Sequence, residues 1–165
     1  MNAVWDYFWP MFAGGAIIGI LALTVAYRRR RRPAIGISGG FAAMLLAAAM
    51  WHWPMGAADR FANAVEHQSR EVLDAYEMTM IQAHLHRNPL SRALLLAGPA
   101  DDFQATELVR VMSEVPGVSR ATWTGRGGTP LIAEGIGTAF AGFLLGLLLA
   151  YLLELHRRYN AQWNW

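Results

Sequence analysis

The histidines are the side chains in this sequence best suited to chemistry, because imidazole binds haem iron and zinc and exchanges protons near neutral pH. A membrane haem needs two histidines at matching depth on facing helices, whereas His52 and His156 stand at opposite ends of two different apolar segments. His84 and His86 are two positions apart, which places them on different sides of a helix, and His67 is about five turns away. The pattern predicts no metal site and no cofactor.

Nucleophilic catalysis is also disfavoured. The sequence contains no cysteine, so thiolate catalysis, cysteine metal sites and disulfides are excluded. Ser91, Ser113 and Ser119 lack the Gly-x-Ser-x-Gly context of an activated serine, and no His–Asp pair is placed to activate them. The glycine-rich stretch 125–128 lacks the strand-to-helix context of a phosphate-binding loop. We therefore predict no catalytic residue and a protein that is not an enzyme.

The elements that would position these residues are dominated by three long apolar segments, Trp9–Tyr27, Ile35–Trp53 and Leu131–Leu153. Each is long enough, at about 1.5 Å per residue, to cross about 30 Å of hydrocarbon as a helix. The first follows Asp6 and has its arginines behind it, which is unlike a cleaved secretory signal. The sequence thus predicts an integral membrane protein with three transmembrane helices.

Arginine clusters beside these segments predict their orientation. All 14 basic residues are arginine, and half of them abut the apolar segments, which is typical of topology signals and headgroup anchors. Such placement does not suit a phosphate-binding face, so no nucleic-acid partner is expected. By the positive-inside rule the N-terminus lies outside and the C-terminus in the cytoplasm. The clustered residues are Arg28, Arg29, Arg30, Arg31, Arg32, Arg157 and Arg158.

Aromatic residues flank the apolar segments, where indole and phenol rings prefer the membrane interface. Those predicted as anchors are Trp5, Trp9, Trp51 and Trp53 on the outer side, with Tyr159, Trp163 and Trp165 on the inner side. Trp163 and Trp165 lie on a tail beyond the third segment, where membrane anchoring and burial against a partner are equal alternatives.

Small residues inside the segments predict close packing of the helices on each other or on a partner. Two Gly-x-x-x-Gly patterns occur, the second is extended backwards by a threonine, and the middle segment contains a glycine pair. The residues concerned are Gly15, Gly19, Gly39, Gly40, Thr138, Gly142 and Gly146.

Acidic residues mark the starts of two predicted helices. Glu134 lies in the first turn of the third apolar segment, either as an interfacial carboxylate stabilised by the helix dipole or as a contact to a partner subunit or an ion path. Asp101 and Asp102 fit helix capping better than paired catalytic carboxylates.

Residues 57–130 have a different composition and predict a small extracytoplasmic domain. Between Asp59 and Arg126 there are seven arginines and nine acids. A helix is predicted from Asp59 to Arg87, followed by a strand over 93–97, a helix over 103–114 and a strand over 118–123. The apolar residues assigned to the first helix are Phe61, Val65, Val72, Tyr76 and Met80, and those assigned to the second are Phe103, Leu108, Val111 and Met112.

The predicted fold class is therefore a membrane α-helical protein with three transmembrane helices and a small α/β domain in the order helix–strand–helix–strand. Its predicted segments are the first transmembrane helix with a cytoplasmic arginine loop, the second transmembrane helix, the extracytoplasmic domain, and the third transmembrane helix with a cytoplasmic tail. Their bounds are 1–33, 34–56, 57–130 and 131–165.

Part of this domain resembles a BON domain. The resemblance covers about residues 80–123 and rests on Leu94-Leu95-Leu96-Ala97-Gly98, on Asp101-Asp102-Phe103-Gln104, and on Val115-Pro116-Gly117-Val118-Ser119-Arg120-Ala121. It departs from the family in having one predicted strand before the helix where the family has two. The resemblance implies a small periplasmic α/β module that binds phospholipid or protein without catalysis, and hence a bacterial inner membrane.

The expected function is non-catalytic: an accessory or assembly subunit of a larger bacterial inner-membrane complex, acting through helix packing and a periplasmic interaction domain. Membrane lipids and other membrane-protein subunits are the expected partners. The alternative is a phospholipid-binding envelope-maintenance protein that uses the BON-like module. A small transporter or channel component is a third reading, for which the apolar segments contain few polar residues.

Overall fold

The computed structural model of the chain describes residues 2–28, 33–125 and 127–162. This part of the chain forms five α-helices and three β-strands. Their bounds are α1 Ala3–Arg28, α2 Pro33–His52, α3 Ala57–Ala75, β1 Gln82–Arg87, β2 Leu90–Ala97, α4 Asp102–Ser113, β3 Arg120–Thr122 and α5 Leu131–Gln162.

Three of the helices, α1, α2 and α5, are long and apolar enough to cross a membrane, as the sequence predicts. Their 26, 20 and 32 residues correspond to about 39, 30 and 48 Å. Helix α1 begins before the predicted apolar segment, and α5 continues beyond Leu153 to Gln162. The extension of α5 contains Glu154, His156, Arg157 and Arg158, so polar residues carry this helix past its apolar segment.

The chain forms two compact units. The α/β unit contains the residues up to Tyr7 together with Met55–Glu134. The helical unit contains Phe8–Pro54 and the residues from Gly135 onward.

The α/β unit is built on a three-stranded sheet in the order β1-β2-β3. Strands β1 and β2 are antiparallel, with Leu85 opposite Leu94, and β3 runs parallel to β2, with Ala121 opposite Leu94. Helix α3 contacts β1 and helix α4 contacts β3. Val65 of α3 and Met112 of α4 are fully buried, as are Leu85 and Leu94, so the sheet and the two helices share an apolar core.

The predicted helix from Asp59 to Arg87 is wrong in its second half. Helix α3 ends at Ala75, and the backbone turns through Glu77, whose φ is 58°. Residues 82–87 form strand β1, so the order is helix–strand–strand–helix–strand rather than helix–strand–helix–strand. Tyr76 and Met80, which continued the helical spacing in the sequence, lie outside α3 and are exposed. The apolar residues keep a spacing of three to four positions across the turn, so the sequence pattern there is helical although the backbone is not.

Helix α4 has the N-terminus that the sequence predicts, but not the predicted apolar face. The Gln104 backbone N–H donates to Asp101 Oδ1 at 2.7 Å, and the Asp101 N–H donates to Gln104 Oε1 at 3.3 Å, which makes a capping box. Leu108 and Met112 are buried, whereas Phe103 is exposed. At about 100° per residue, Phe103 lies on the side of the helix opposite Met112, so the assignment of Phe103 to the buried face was wrong.

Candidate interaction surfaces

The glycines of α1 lie where α5 comes closest in the helical unit. A Cβ atom at Gly15 would overlap the carbonyl oxygen of Ala139, and a Cβ atom at Gly19 would overlap that of Phe143. Only a residue without a side chain fits at either position, because the overlapped atoms belong to the backbone of α5.

The contact is reciprocal at the glycines of α5. A Cβ atom at Gly142 would overlap the carbonyl oxygen of Phe12, and one at Gly146 would overlap that of Ala16. Both Gly-x-x-x-Gly patterns thus line one helix contact, in which the two backbones approach more closely than larger side chains would permit.

Helix α2 packs through small residues as well. A Cβ atom at Gly40 would overlap the Ala22 methyl group, and one at Gly36 would lie 3.0 Å from Ala26 Cα. The Phe41 ring stands edge-on to the rings of Phe140 and Phe143, at centroid distances of 6.0 and 6.3 Å. The helical unit therefore combines close backbone approach with an aromatic cluster.

Two of the predicted packing residues occupy different surroundings. A Cβ atom at Gly39 would meet nothing within 4 Å, so the packing inside this chain does not require a glycine there. Thr138 is half-buried on α5, one turn before Gly142. Packing of Gly39 on a partner, the alternative left open by the sequence, stays a prediction.

Glu134 has a partner in its own chain. Arg92 Nη1, on β2, lies 3.0 Å from Glu134 Oε2 in the first turn of α5, and Arg92 Nε donates to the Gly117 carbonyl oxygen at 2.9 Å. About a quarter of each charged side chain is exposed, 25% for Arg92 and 27% for Glu134. The pair fastens the sheet to the start of α5. Sequence reasoning missed Arg92 because the pair spans 42 residues and no periodicity links them.

A second site that the sequence did not reveal is the outer edge of strand β1. Glu66 Oε1 accepts the Leu85 backbone N–H at 3.0 Å, and its Oε2 accepts from Arg87 Nη2 at 2.9 Å. One helical turn later, Arg70 Nη1 donates to the Ile81 carbonyl oxygen at 2.9 Å. Side chains of α3 thus bond one backbone group of β1 and one just before it, an arrangement that disfavours the addition of a further strand at this edge.

The predicted anchoring residues in the described ranges are largely exposed. The rings of Trp5, Trp9, Trp53 and Tyr159 are open to the surroundings, and Trp51 is half-buried. The guanidinium of Arg158 pairs with Glu154 at 2.9 Å and lies 5.9 Å from the centre of the Tyr27 ring. The side chains of Arg28 and Arg157 are also exposed. Arg29, Arg30, Arg31, Arg32, Trp163 and Trp165 lie outside the described residues.

The histidines are dispersed. His52 is buried with its ring edge-on to Trp53 at 5.0 Å, His67 pairs with Glu71, and His84 lies 3.9 Å from Glu66. Across residues 2–28, 33–125 and 127–162, no group of three or more His, Asp or Glu side chains is arranged to hold a metal ion.

A small cavity lies in the α/β unit, between the first turns of α1 and the start of α3. Its volume is about 60 Å³, and Tyr7, Arg60 and Phe61 are among its lining residues. A cavity of this size has room for a few waters and is too small for a phospholipid.

The fold and these contacts define a helical protein with three helices of membrane-spanning length and a small α/β unit. No family model matches the chain, and no curated protein or solved structure is significantly similar to it. The resemblance to a BON domain therefore rests on the residues of this sequence alone.

Proposed function

We propose that the protein is a non-catalytic accessory or assembly subunit of a bacterial inner-membrane complex. Its three long helices cross the membrane, with the N-terminus periplasmic and the C-terminus cytoplasmic, and the α/β unit is a periplasmic interaction module. Membrane lipids surround the helices, and other membrane-protein subunits are its partners.

The observation that carries this proposal is the exposure of large apolar side chains outside the three long helices. Tyr76, Met80 and Phe103 belong to the α/β unit and are 56%, 77% and 76% exposed. Lipid explains exposed apolar residues along a membrane helix, but it does not cover a periplasmic module. Large apolar side chains exposed on a water-soluble unit favour a site of interaction.

The orientation is supported by the positive charges at the ends of the long helices. Arg28 ends α1, and Arg157 and Arg158 follow the apolar part of α5, so both groups fall on one side of a membrane crossed by α1, α2 and α5. Because the chain has no cysteine, single cysteines report topology cleanly. We expect Thr124→Cys to react with an impermeant maleimide in intact spheroplasts and Asn160→Cys to react only after permeabilisation; the reverse pattern would overturn the orientation.

The accessory role is tested by extraction of native membranes in a mild detergent, followed by a size-resolved native gel and mass spectrometry of the co-migrating bands. We expect the chain to migrate in a large assembly with partners in fixed stoichiometry. Migration as a small particle, alone or with lipid only, would contradict the proposal.

A second candidate is a phospholipid-binding envelope protein. It is favoured by the strand order, since β1 and β2 both precede α4, and two strands at this place are what the BON family has. The excess of acids over arginines in residues 59–126 disfavours it, because anionic headgroups are repelled by an acidic surface. Binding of the purified chain in neutral nanodiscs to anionic vesicles would support this candidate.

A further inference from the structure

Three side chains that the sequence pattern places in a core are the most exposed large apolar residues among the described residues of Met55–Glu134. They are Tyr76, Met80 and Phe103, which we call the distal patch. In each case the helical spacing predicts burial, and the fold of this chain provides nothing that covers the side chain among its described residues. A surface of another molecule that covers these three side chains would give them the burial that the helical spacing predicts.

The three residues belong to neighbouring parts of the unit. Met80 lies beside Gly98, since a Cβ atom at Gly98 would come 2.7 Å from the Met80 carbonyl oxygen. Tyr76 lies four residues before Met80 in the same segment, outside α3. Phe103 and Arg110 are seven positions apart and therefore share the exposed face of α4. The end of segment 76–80 therefore lies beside Gly98, five residues before Phe103 in the chain.

The distal patch is at the end of the sheet away from the start of α5. Ser91, near the beginning of β2, forms a bridge with Pro130, the residue before α5. Gly98 follows the other end of β2, which is seven residues or about 23 Å further along the strand. The patch is therefore well separated from the first turn of α5.

The segments that carry the patch are rich in acidic residues. The segments 74–80 and 99–110 contain five acids and one arginine. Arg70 pairs with Asp74 and Arg110 pairs with Glu107. Glu77, Asp101 and Asp102 have no ion-pair partner among the described residues. Apolar side chains with such an acidic rim of neighbours along the chain are complementary to an apolar anchor with basic neighbours.

We propose that the distal patch docks a protein segment that presents an apolar side chain flanked by arginine or lysine. This inference rests on the proposed function and specifies the chemistry of the partner. Anionic lipid is disfavoured as the occupant, because its headgroups carry the same charge as the rim.

The test is site-specific photo-crosslinking in native membranes. A benzophenone amino acid replaces Tyr76 in one full-length variant and Phe103 in another, and the crosslinked peptides are sequenced by mass spectrometry. Both probes should give adducts with the same segment of one partner protein, and that segment should carry arginine or lysine within about four residues of the crosslinked apolar side chain. A probe at Met55, which is exposed elsewhere on the α/β unit, is the matched control and should not give this adduct.

Three further variants, with the probe kept at position 76, test the contributions of apolar surface and of charge. Met80→Ser should lower the adduct yield at least tenfold, and Met55→Ser should leave it unchanged. The double variant Glu77→Gln, Asp102→Asn should lower the yield at least threefold, since it removes charge without removing apolar surface. Asp101 is left intact because it caps α4.

Adducts with lipid alone, with a second copy of this chain, or with a segment without basic residues would overturn the proposal, as would the absence of an adduct. The same membranes are run on the native gel in parallel. Migration in a large assembly without an adduct at the patch refutes this inference but leaves the accessory role standing, whereas migration as a lone chain refutes both.

Discussion

Arg92 and Glu134 form an ion pair with an N–O distance of 3.0 Å between the central strand of the sheet and the first turn of α5. Glu134 lies at the end of the helix where the backbone dipole favours negative charge, and Arg92 supplies a counter-charge from the other side. The pair couples the fold of the α/β unit to the start of a helix of membrane-spanning length.

The Arg92–Glu134 pair should contribute modestly to stability, because both side chains are partly exposed. We expect a double-mutant cycle with Arg92→Met and Glu134→Gln to give a coupling free energy of about 0.5–1 kcal/mol. Arg92→Met should destabilise the chain more than Glu134→Gln, since it also removes the hydrogen bond to the Gly117 carbonyl oxygen. Thermal unfolding in detergent measures both quantities; strictly additive effects would contradict the pairing.

The glycine contact between α1 and α5 should not tolerate a methyl group. Gly142→Ala places a Cβ atom against the Phe12 carbonyl oxygen and should destabilise the helical unit by about 1–3 kcal/mol. Gly137→Ala is the matched control, because a Cβ atom there meets nothing within 4 Å. The control should be neutral or stabilising by up to about 1 kcal/mol, since alanine favours the helix more than glycine does. Equal effects of the two substitutions on the unfolding temperature would refute the close contact.

The Glu66 carboxylate should protect the edge of β1. Glu66→Ala leaves the Leu85 N–H without its acceptor and should destabilise the α/β unit by about 1–3 kcal/mol. It should also raise the hydrogen-exchange rate of the Leu85 amide and the tendency of the protein to aggregate. Glu71→Ala, on the same helix, removes only an exposed pair with His67 and should change neither. An unchanged Leu85 exchange rate in Glu66→Ala would be inconsistent with this role.

The Arg70–Asp74 pair predicts a specific pH dependence. The hydrogen bond from Arg70 holds the pKa of Asp74 below its ordinary value. The contribution of the ionised carboxylate is therefore fully present above the unfolded-state pKa of about 3.9 and is lost as the pH falls through the lower folded-state value. The difference in unfolding temperature between the wild type and Asp74→Asn should exist at pH values near neutrality and shrink in acid. A difference that does not change with pH would show that the charge contributes nothing.

The parts of the fold that the sequence predicts correctly have local signals. The three long helices are continuous apolar runs, and the capping of α4 by Asp101 follows from an acidic residue at a helix start. Strand β1 has only six residues. Tyr76 and Met80 continue the helical spacing of α3 almost to Gln82, where β1 begins. The local pattern therefore favours a longer helix, and residues 82–87 form a strand because they pair with β2.

The long-range contacts have no such signal. The Arg92–Glu134 pair spans 42 residues and the bond from Leu85 to Glu66 spans 19, so nothing in the local sequence connects the partners. The glycine contact is intermediate: each Gly-x-x-x-Gly pattern identifies a helix face, but which helix it meets depends on the three-dimensional arrangement.

The central claim, that this chain works as one subunit of a larger membrane assembly, is tested most directly by the protein mass of its native particle. The tagged full-length chain is purified from its own membranes in mild detergent, and light scattering after size exclusion gives the protein mass without detergent and lipid. We predict a mass several times the 18.3 kDa of the chain, with a second polypeptide in fixed ratio. A particle of 18.3 kDa, or of a simple multiple of it without another polypeptide, would contradict the claim.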